Sequence, residues 1–198
     1  MTETDATDAT EEAADLAEFR ARARAFLAEH APIRRRRPDE DGPPDRGLGD
    51  VAGAKRYQAA LFDAGLAGIT WPEPWGLGLS SEHTRVFNEE AAGRELPTAI
   101  YTIGLGSAAK GFPLRETVDG LVIPTLIEFG TQEQKERYVA KALRGEEVWS
   151  QLFSEPGAGS DVASLQMKAE RDGEEWVLNG QKVWTTGAQL SDFGAVIA

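Results

Sequence analysis

The sequence predicts an α+β protein: an all-helical domain comes first and an incomplete antiparallel β domain follows. Capping signals recur along roughly the first 145 residues, and the texture becomes strand-like at Val148. Beyond it, two turn dipeptides, Asp172-Gly173 and Asn179-Gly180, separate short runs with partial alternation. At 198 residues and 41% hydrophobic content, the chain suits one full domain plus part of another.

Residues 1–10 are small, polar and acidic, too poor in apolar surface to order themselves, so they are expected to form a frayed tail. From Glu11 to His30, Leu16, Phe19, Ala23, Phe26 and Leu27 recur at helical spacing, with acids in the first turn where the macrodipole favours them. The run Arg34 to Arg37 is followed at once by prolines and acids, so it reads as a solvated connection. A second helix is capped by Asp50, carries Val51, Ala54, Tyr57, Leu61 and Phe62, and stops at Gly65. The stretch GLAGITWPEPWGLGLS reads as a structured loop whose aromatic residues must pack. Ser80 or Ser81 caps a helix reaching about Arg94, and another begins at Pro124 and ends at Gly130. Thr131 to Gln134 forms a capping box for a helix through Leu143, closed by Gly145. The helical domain is thus expected over 11–147 and the β domain over 148–198, where Phe193 to Ala198 opens a further apolar run in which the sequence stops.

Composition removes several function classes. With no cysteine, disulfides, iron–sulfur clusters and thiolate zinc are excluded, and His30 and His83 lack metal-ligand spacing. A net charge of −12 repels phosphate backbones, which argues against nucleic acid as a partner. No run approaches the ~20 apolar residues of a membrane helix, and the acidic N-terminus is unlike a signal peptide, so a cytoplasmic location is expected.

The segment richest in chemistry is QLFSEPGAGSD, Gln151 to Asp161. Its glycines let backbone N–H groups approach a ligand, and its serines can donate hydrogen bonds to a planar, acceptor-rich heteroaromatic ring. Read by itself, the same stretch is equally a tight Pro-Gly turn with capping serines, and composition does not decide. The run GLGSAA, Gly104 to Ala109, formally fits a dinucleotide-binding fingerprint. No alternating strand and helix pattern follows it, so that reading is rejected.

SEPGAGSD, then an N-G turn, then KVWTTGA resembles the start of the middle domain of acyl-CoA dehydrogenases. Upstream, GITWPEPWGLGLS, VFNEEAAGRELP and FGTQEQKERYVAKALRGEEVWSQ resemble that family's helical domain in the same order, so the likeness covers roughly residues 11 to 198. It implies FAD as cofactor and α,β-dehydrogenation of an acyl-CoA thioester, within fatty-acid and lipid metabolism. Electron-transfer flavoprotein would be the partner of the full-length protein, which would form a homo-oligomer. Gln151, Leu152, Phe153, Ser154, Gly159 and Ser160 would line the flavin, with Ser154 on its pyrimidine side and Ser160 also touching the acyl-CoA. Trp184, Thr185 and Thr186 would complete the contact, the indole beside the isoalloxazine and Thr186 near N5.

The resemblance implies no catalytic residue in this chain, because the family's base is usually a glutamate of a C-terminal helical domain. Glu155 is the tempting substitute, but it sits inside the flavin motif. The chain is therefore expected to be inactive alone. Leu152 and Phe153 stand where the family often has a small and then an aliphatic residue, which leaves the acyl chain length unread. The alternatives are a non-catalytic split or truncated subunit, or a flavin oxidase or monooxygenase of the same fold.

Overall fold

The structure is a computed structural model and describes residues 3–33, 50–96, 122–185 and 187–198. Its helices in chain order are α1 (Glu3–His30), α2 (Val51–Asp63), α3 (Ser81–Ala91), α4 (Val122–Phe129) and α5 (Gln132–Leu143). The strands follow as β1 (Trp149–Leu152), β2 (Lys168–Asp172), β3 (Glu175–Asn179) and β4 (Phe193–Val196). The Arg34–Arg37 run and the Gly104–Ala109 segment lie outside the described residues.

Most helix signals work as read. The Asp50 carboxylate accepts from Gly53 N at 2.8 Å, capping α2. Both arms of the capping box are made at α5, Gln134 N to Thr131 Oγ1 at 3.2 Å and Thr131 N to Gln134 Oε1 at 2.9 Å. At Ser80 the sequence rule is redirected: the residue is the N-cap of α3, but its Oγ lies 2.9 Å from His83 Nδ1 instead of capping a backbone amide. His83 Nε2 meets Asp15 Oδ2 at 3.0 Å, joining the start of α3 to α1. Helix α1 starts at Glu3, eight residues before the expected Glu11, so the stretch expected to fray is helical from its third residue.

The core lies between the helices. Phe19, Ala23, Phe26 and Leu27 make one buried stripe along α1, and Phe87, Leu61, Leu66, Ile123 and Val139 are fully enclosed with it. Each such large side chain contributes ~1.5–3 kcal/mol by leaving water. On the polar side of the α1–α3 contact, Arg20 donates to Glu89 at 2.6 Å and Glu90 at 2.9 Å, while Arg24 grips Glu90 with two nitrogens. The Gly- and Trp-rich loop packs as expected, with Trp71 buried and Gly68 O accepting from Trp71 N and Leu77 N. A Cβ at Gly76 would sit 2.5 Å from Gly68 O, so the loop closes this tightly only with glycine there.

The β part differs from the expectation in two respects. Strands β2 and β3 are antiparallel, turning at Gly173 (φ 62°), with Asp172 opposite Glu175. Strands β1 and β4 instead pair in parallel, Trp149 opposite Phe193 through Leu152 opposite Val196. The chain reaches β4 by a long crossover through the hairpin, and parallel partners require a connection of that kind. Asn179-Gly180 makes no second hairpin: β3 ends at Asn179, and a Cβ at Gly180 would meet Met167 Cβ at 2.7 Å. That glycine serves close packing of the departing chain. An aromatic group of Tyr138, Trp149 and Phe193, with centroids 4.9–5.4 Å apart, fastens α5 to the β1–β4 pair.

Candidate functional site

The candidate site grows from the end of β1. A Cβ on Gly194 would lie 2.5 Å from Leu152 Cδ1, so glycine permits the close approach of β4 to β1. Asp192 secures the same junction, accepting from Val148 N through Oδ2 at 2.9 Å and donating its own N–H to Val148 O at 2.8 Å. The chain that leaves this anchored pair, Phe153 to Ser160, therefore starts from a defined position.

It turns at once. Glu155 N donates to Ala158 O at 2.8 Å, and Ala158 N returns a bond to Glu155 O at 3.1 Å, closing a tight loop over Pro156 and Gly157. The Glu155 side chain points inward and is 8% exposed as a residue. Its Oε2 accepts from Gln166 N at 2.7 Å, and its Oε1 accepts from Met167 N at 2.9 Å and Lys182 Nζ at 2.8 Å. The bond from Lys182, followed by that from Gln166, holds the carboxyl at about 2, well below the usual carboxylate range. A carboxylate saturated in this way is a poor proton acceptor.

Lys182 binds both sides of Ser154. Its Nζ donates to Phe153 O at 3.0 Å and to Glu155, while the next residue, Val183, donates its N–H to Ser154 O at 2.9 Å. Trp184 follows directly, in the left-handed region at φ 59° and with 88% of its surface exposed. A bulky residue in that conformation is strained, and a large apolar side chain there gains little from the fold around it.

The predicted residues fall as follows. Gln151, Leu152, Phe153 and Ser154 are half-buried at the end of β1 and just after it, and Thr185 is half-buried beside Trp184. Gly159 and Ser160 are exposed beyond the tight loop, and Thr186 lies outside the described residues. The structure brings Ser154 within two residues of Trp184 through the Val183 bond. No hydrogen bond among the described residues ties Ser160 to the Trp184 segment. A cleft of about 310 Å³ adjoins the loop, lined by Glu155, Gly157, Ser164, Gln166 and Met167 among others, and it includes none of the predicted contact residues.

Whether these residues suit a flat cofactor can be judged from the glycines. Gly157 and Gly159 have ordinary negative φ, and a Cβ on either would meet nothing within 4 Å. Neither backbone conformation nor packing within the chain requires glycine there, and the open space leaves the backbone amides accessible. With the exposed Trp184 face, the segment fits a planar ring contacted by backbone amides.

Sequence reasoning missed Lys182 and Asp192. For Lys182 the only signal was a lysine placed after an N-G dipeptide, which is common on exposed turns.

Comparisons with known proteins bear on the family. Residues 13–146 match the acyl-CoA dehydrogenase N-terminal domain, and residues 150–198 match the acyl-CoA dehydrogenase middle domain. The chain belongs to the acyl-CoA dehydrogenase family. It is 38% identical over 185 residues to the acyl-CoA dehydrogenase IpdE1 of Mycobacterium tuberculosis, covering 93% of this chain and 44% of that protein. It is 39% identical over 134 residues to the mitochondrial isovaleryl-CoA dehydrogenase of Solanum tuberosum, covering 67% and 29%. The solved ChsE4-ChsE5 complex from Mycobacterium tuberculosis superimposes with a TM-score of 0.61 at 29% identity, over 92% of this chain and 41% of that one. This acyl-CoA dehydrogenase chain thus spans less than half the length of these relatives.

Proposed function

We propose that this chain supplies the ring-facing part of a FAD site in an acyl-CoA dehydrogenase acting on the α,β-bond of an acyl-CoA thioester. The observation that carries the reading is the Val183–Ser154 bond, which sets a serine-bearing strand exit beside an exposed, strained tryptophan. Gln151 to Ser154 with Gly159, and Trp184 to Thr186, would contact the flavin, and Ser160 would also meet the acyl-CoA. When bound, FAD accepts the hydride that leaves the β-carbon as the α-proton is removed. The chain's own part is to orient and to donate. The Ser154 hydroxyl, without a partner among the described residues, and the amides of the glycine-bearing loop offer donors where negative charge develops. Trp184 covers one side of the ring and excludes water from it.

The catalytic base would come from outside the described residues. Glu155 is committed to three donors, and the relatives extend well beyond the matched segment. The helical domain would occupy 11–147 and the start of the middle domain 148–198. No described helix is long and apolar enough to cross a membrane. The family resemblance supports electron-transfer flavoprotein as redox partner and a homo-oligomeric full-length protein. The test is acyl-CoA-dependent reduction of an artificial electron acceptor by the full-length protein with FAD. Ser154→Ala is expected to lower turnover about a hundredfold or more, the usual order for losing one preorganised donor. Turnover unchanged by Ser154→Ala would remove that serine from the site.

A further inference from the structure

We propose that Glu155 and Lys182 act together as a positioning pair that fixes Ser154 and Trp184 relative to each other, and so sets how tightly and in what orientation a flavin is held. The inference rests on the flavin reading above and adds residues to which that reading gives no role.

The geometry is a bracket. Three consecutive residues, Phe153, Ser154 and Glu155, are held by one bond each from two consecutive residues of the second segment. Lys182 Nζ takes Phe153 O at 3.0 Å and the Glu155 carboxylate at 2.8 Å, and Val183 N takes Ser154 O at 2.9 Å. Ser154 sits in the middle of the bracket and Trp184 follows its other arm directly. The second side of the Glu155 carboxylate is pinned by the amides of Gln166 and Met167, so the bracket is fixed to the entry of β2 and cannot shift as a free unit.

The energetics favour a geometric role over a stabilising one. The side chains of Lys182 and Glu155 are only 5% and 7% exposed. Taking both charges out of water costs about as much as their attraction returns, and an apolar pair of similar volume is often no less stable. What the ion pair supplies and an apolar pair cannot is a fixed direction for three specific hydrogen bonds. That direction bears on Trp184, whose left-handed backbone at φ 59° persists only if its surroundings hold it. Released from Lys182, the 182–184 segment can relax toward an extended conformation, changing the direction in which Trp184 presents its indole.

The test uses the full-length protein with Lys182→Met, Glu155→Gln and the double variant. FAD affinity is read by quenching of flavin fluorescence, ring orientation by visible circular dichroism of the bound flavin, and stability by the thermal midpoint of the flavin-free protein. Leu61→Ala, a core change in the helical domain, serves as a variant of lowered stability with an intact bracket. Lys182→Met leaves the Gln166 and Met167 bonds to Glu155 in place and is the variant expected to keep its fold. It is expected to weaken FAD about tenfold, equivalent to ~1.4 kcal/mol, and to change the flavin dichroism. The double variant is expected to be no worse than the poorer single one, since both remove the same unit. Leu61→Ala is expected to lower the midpoint while leaving flavin dichroism unchanged. Two results overturn the proposal while leaving the flavin reading intact: wild-type affinity and dichroism in Lys182→Met, or losses that Leu61→Ala reproduces at equal stability. A wild-type protein that binds no FAD would instead overturn the flavin reading itself, and the pair's role with it.

Discussion

Replacing Trp184 with glycine should leave the flavin-free protein about as stable as before while sharply weakening FAD. The magnitude follows from two observations. Trp184 holds φ 59°, a conformation that costs a non-glycine residue roughly 1–2 kcal/mol and costs glycine almost nothing. Its side chain is 88% exposed, so about one-eighth of a full aromatic burial worth ~3 kcal/mol is lost, a few tenths of a kcal/mol. Glycine also gives the unfolded chain more freedom, which costs ~0.4–1 kcal/mol. These effects nearly cancel, and the variant is expected within about 1 kcal/mol of the wild type. In the complex, an aromatic contact worth ~0.5–1.5 kcal/mol beyond its buried area disappears, so FAD binding should weaken by roughly tenfold. Urea denaturation of flavin-free protein measures the first quantity and a fluorescence titration with FAD the second. Destabilisation beyond about 2 kcal/mol with unchanged FAD affinity would refute the reasoning, because it would make the indole a packing residue.

Other expectations concern the scaffold. Phe87→Ala, at a fully buried position where α3 meets α1, should cost about 3–5 kcal/mol, read as a lower urea midpoint at unchanged slope. Thr131→Ala removes one arm of the capping box on α5 and should cost about 1 kcal/mol in the same assay. Arg24, and after it Arg20, hold the Glu90 carboxyl down at about 2, so its folded-state affinity for protons lies below the unfolded one. The stability it contributes is then fully present above the ordinary carboxylate range near 4.5 and is lost as pH falls from there toward 2. Glu90→Gln should flatten the stability profile across that window, and an unchanged profile would show that the Glu90 ion pairs with Arg20 and Arg24 contribute nothing.

The helical half was legible because helix ends are local. Asp50, Thr131 with Gln134, and Gly145 each act within a few residues of themselves, and their capping bonds need no distant partner. The start of α1 was less legible, since alanines and acids suit both a tail and a first helical turn. Strand direction could not be read: Phe193 to Val196 has strand composition in either orientation, and only its pairing with Trp149 to Leu152 makes it parallel. Asn179-Gly180 misled for a similar reason, because the glycine is needed where Met167 presses on it, a contact about thirteen residues back. At the candidate site the motif residues were visible in the sequence, whereas the Lys182 bracket was not. Its meaning comes from contacts with residues 27 and 29 positions away. The exposure and left-handed backbone of Trp184 are likewise tertiary facts with no local signature.

The most direct measurement is a crystal structure of the full-length protein grown with FAD. The account predicts the isoalloxazine ring lying along the Trp184 indole, with Ser154 and the loop amides within hydrogen-bond distance of its pyrimidine edge. A flavin seated elsewhere, with Trp184 still facing solvent and Ser154 unengaged, would contradict it.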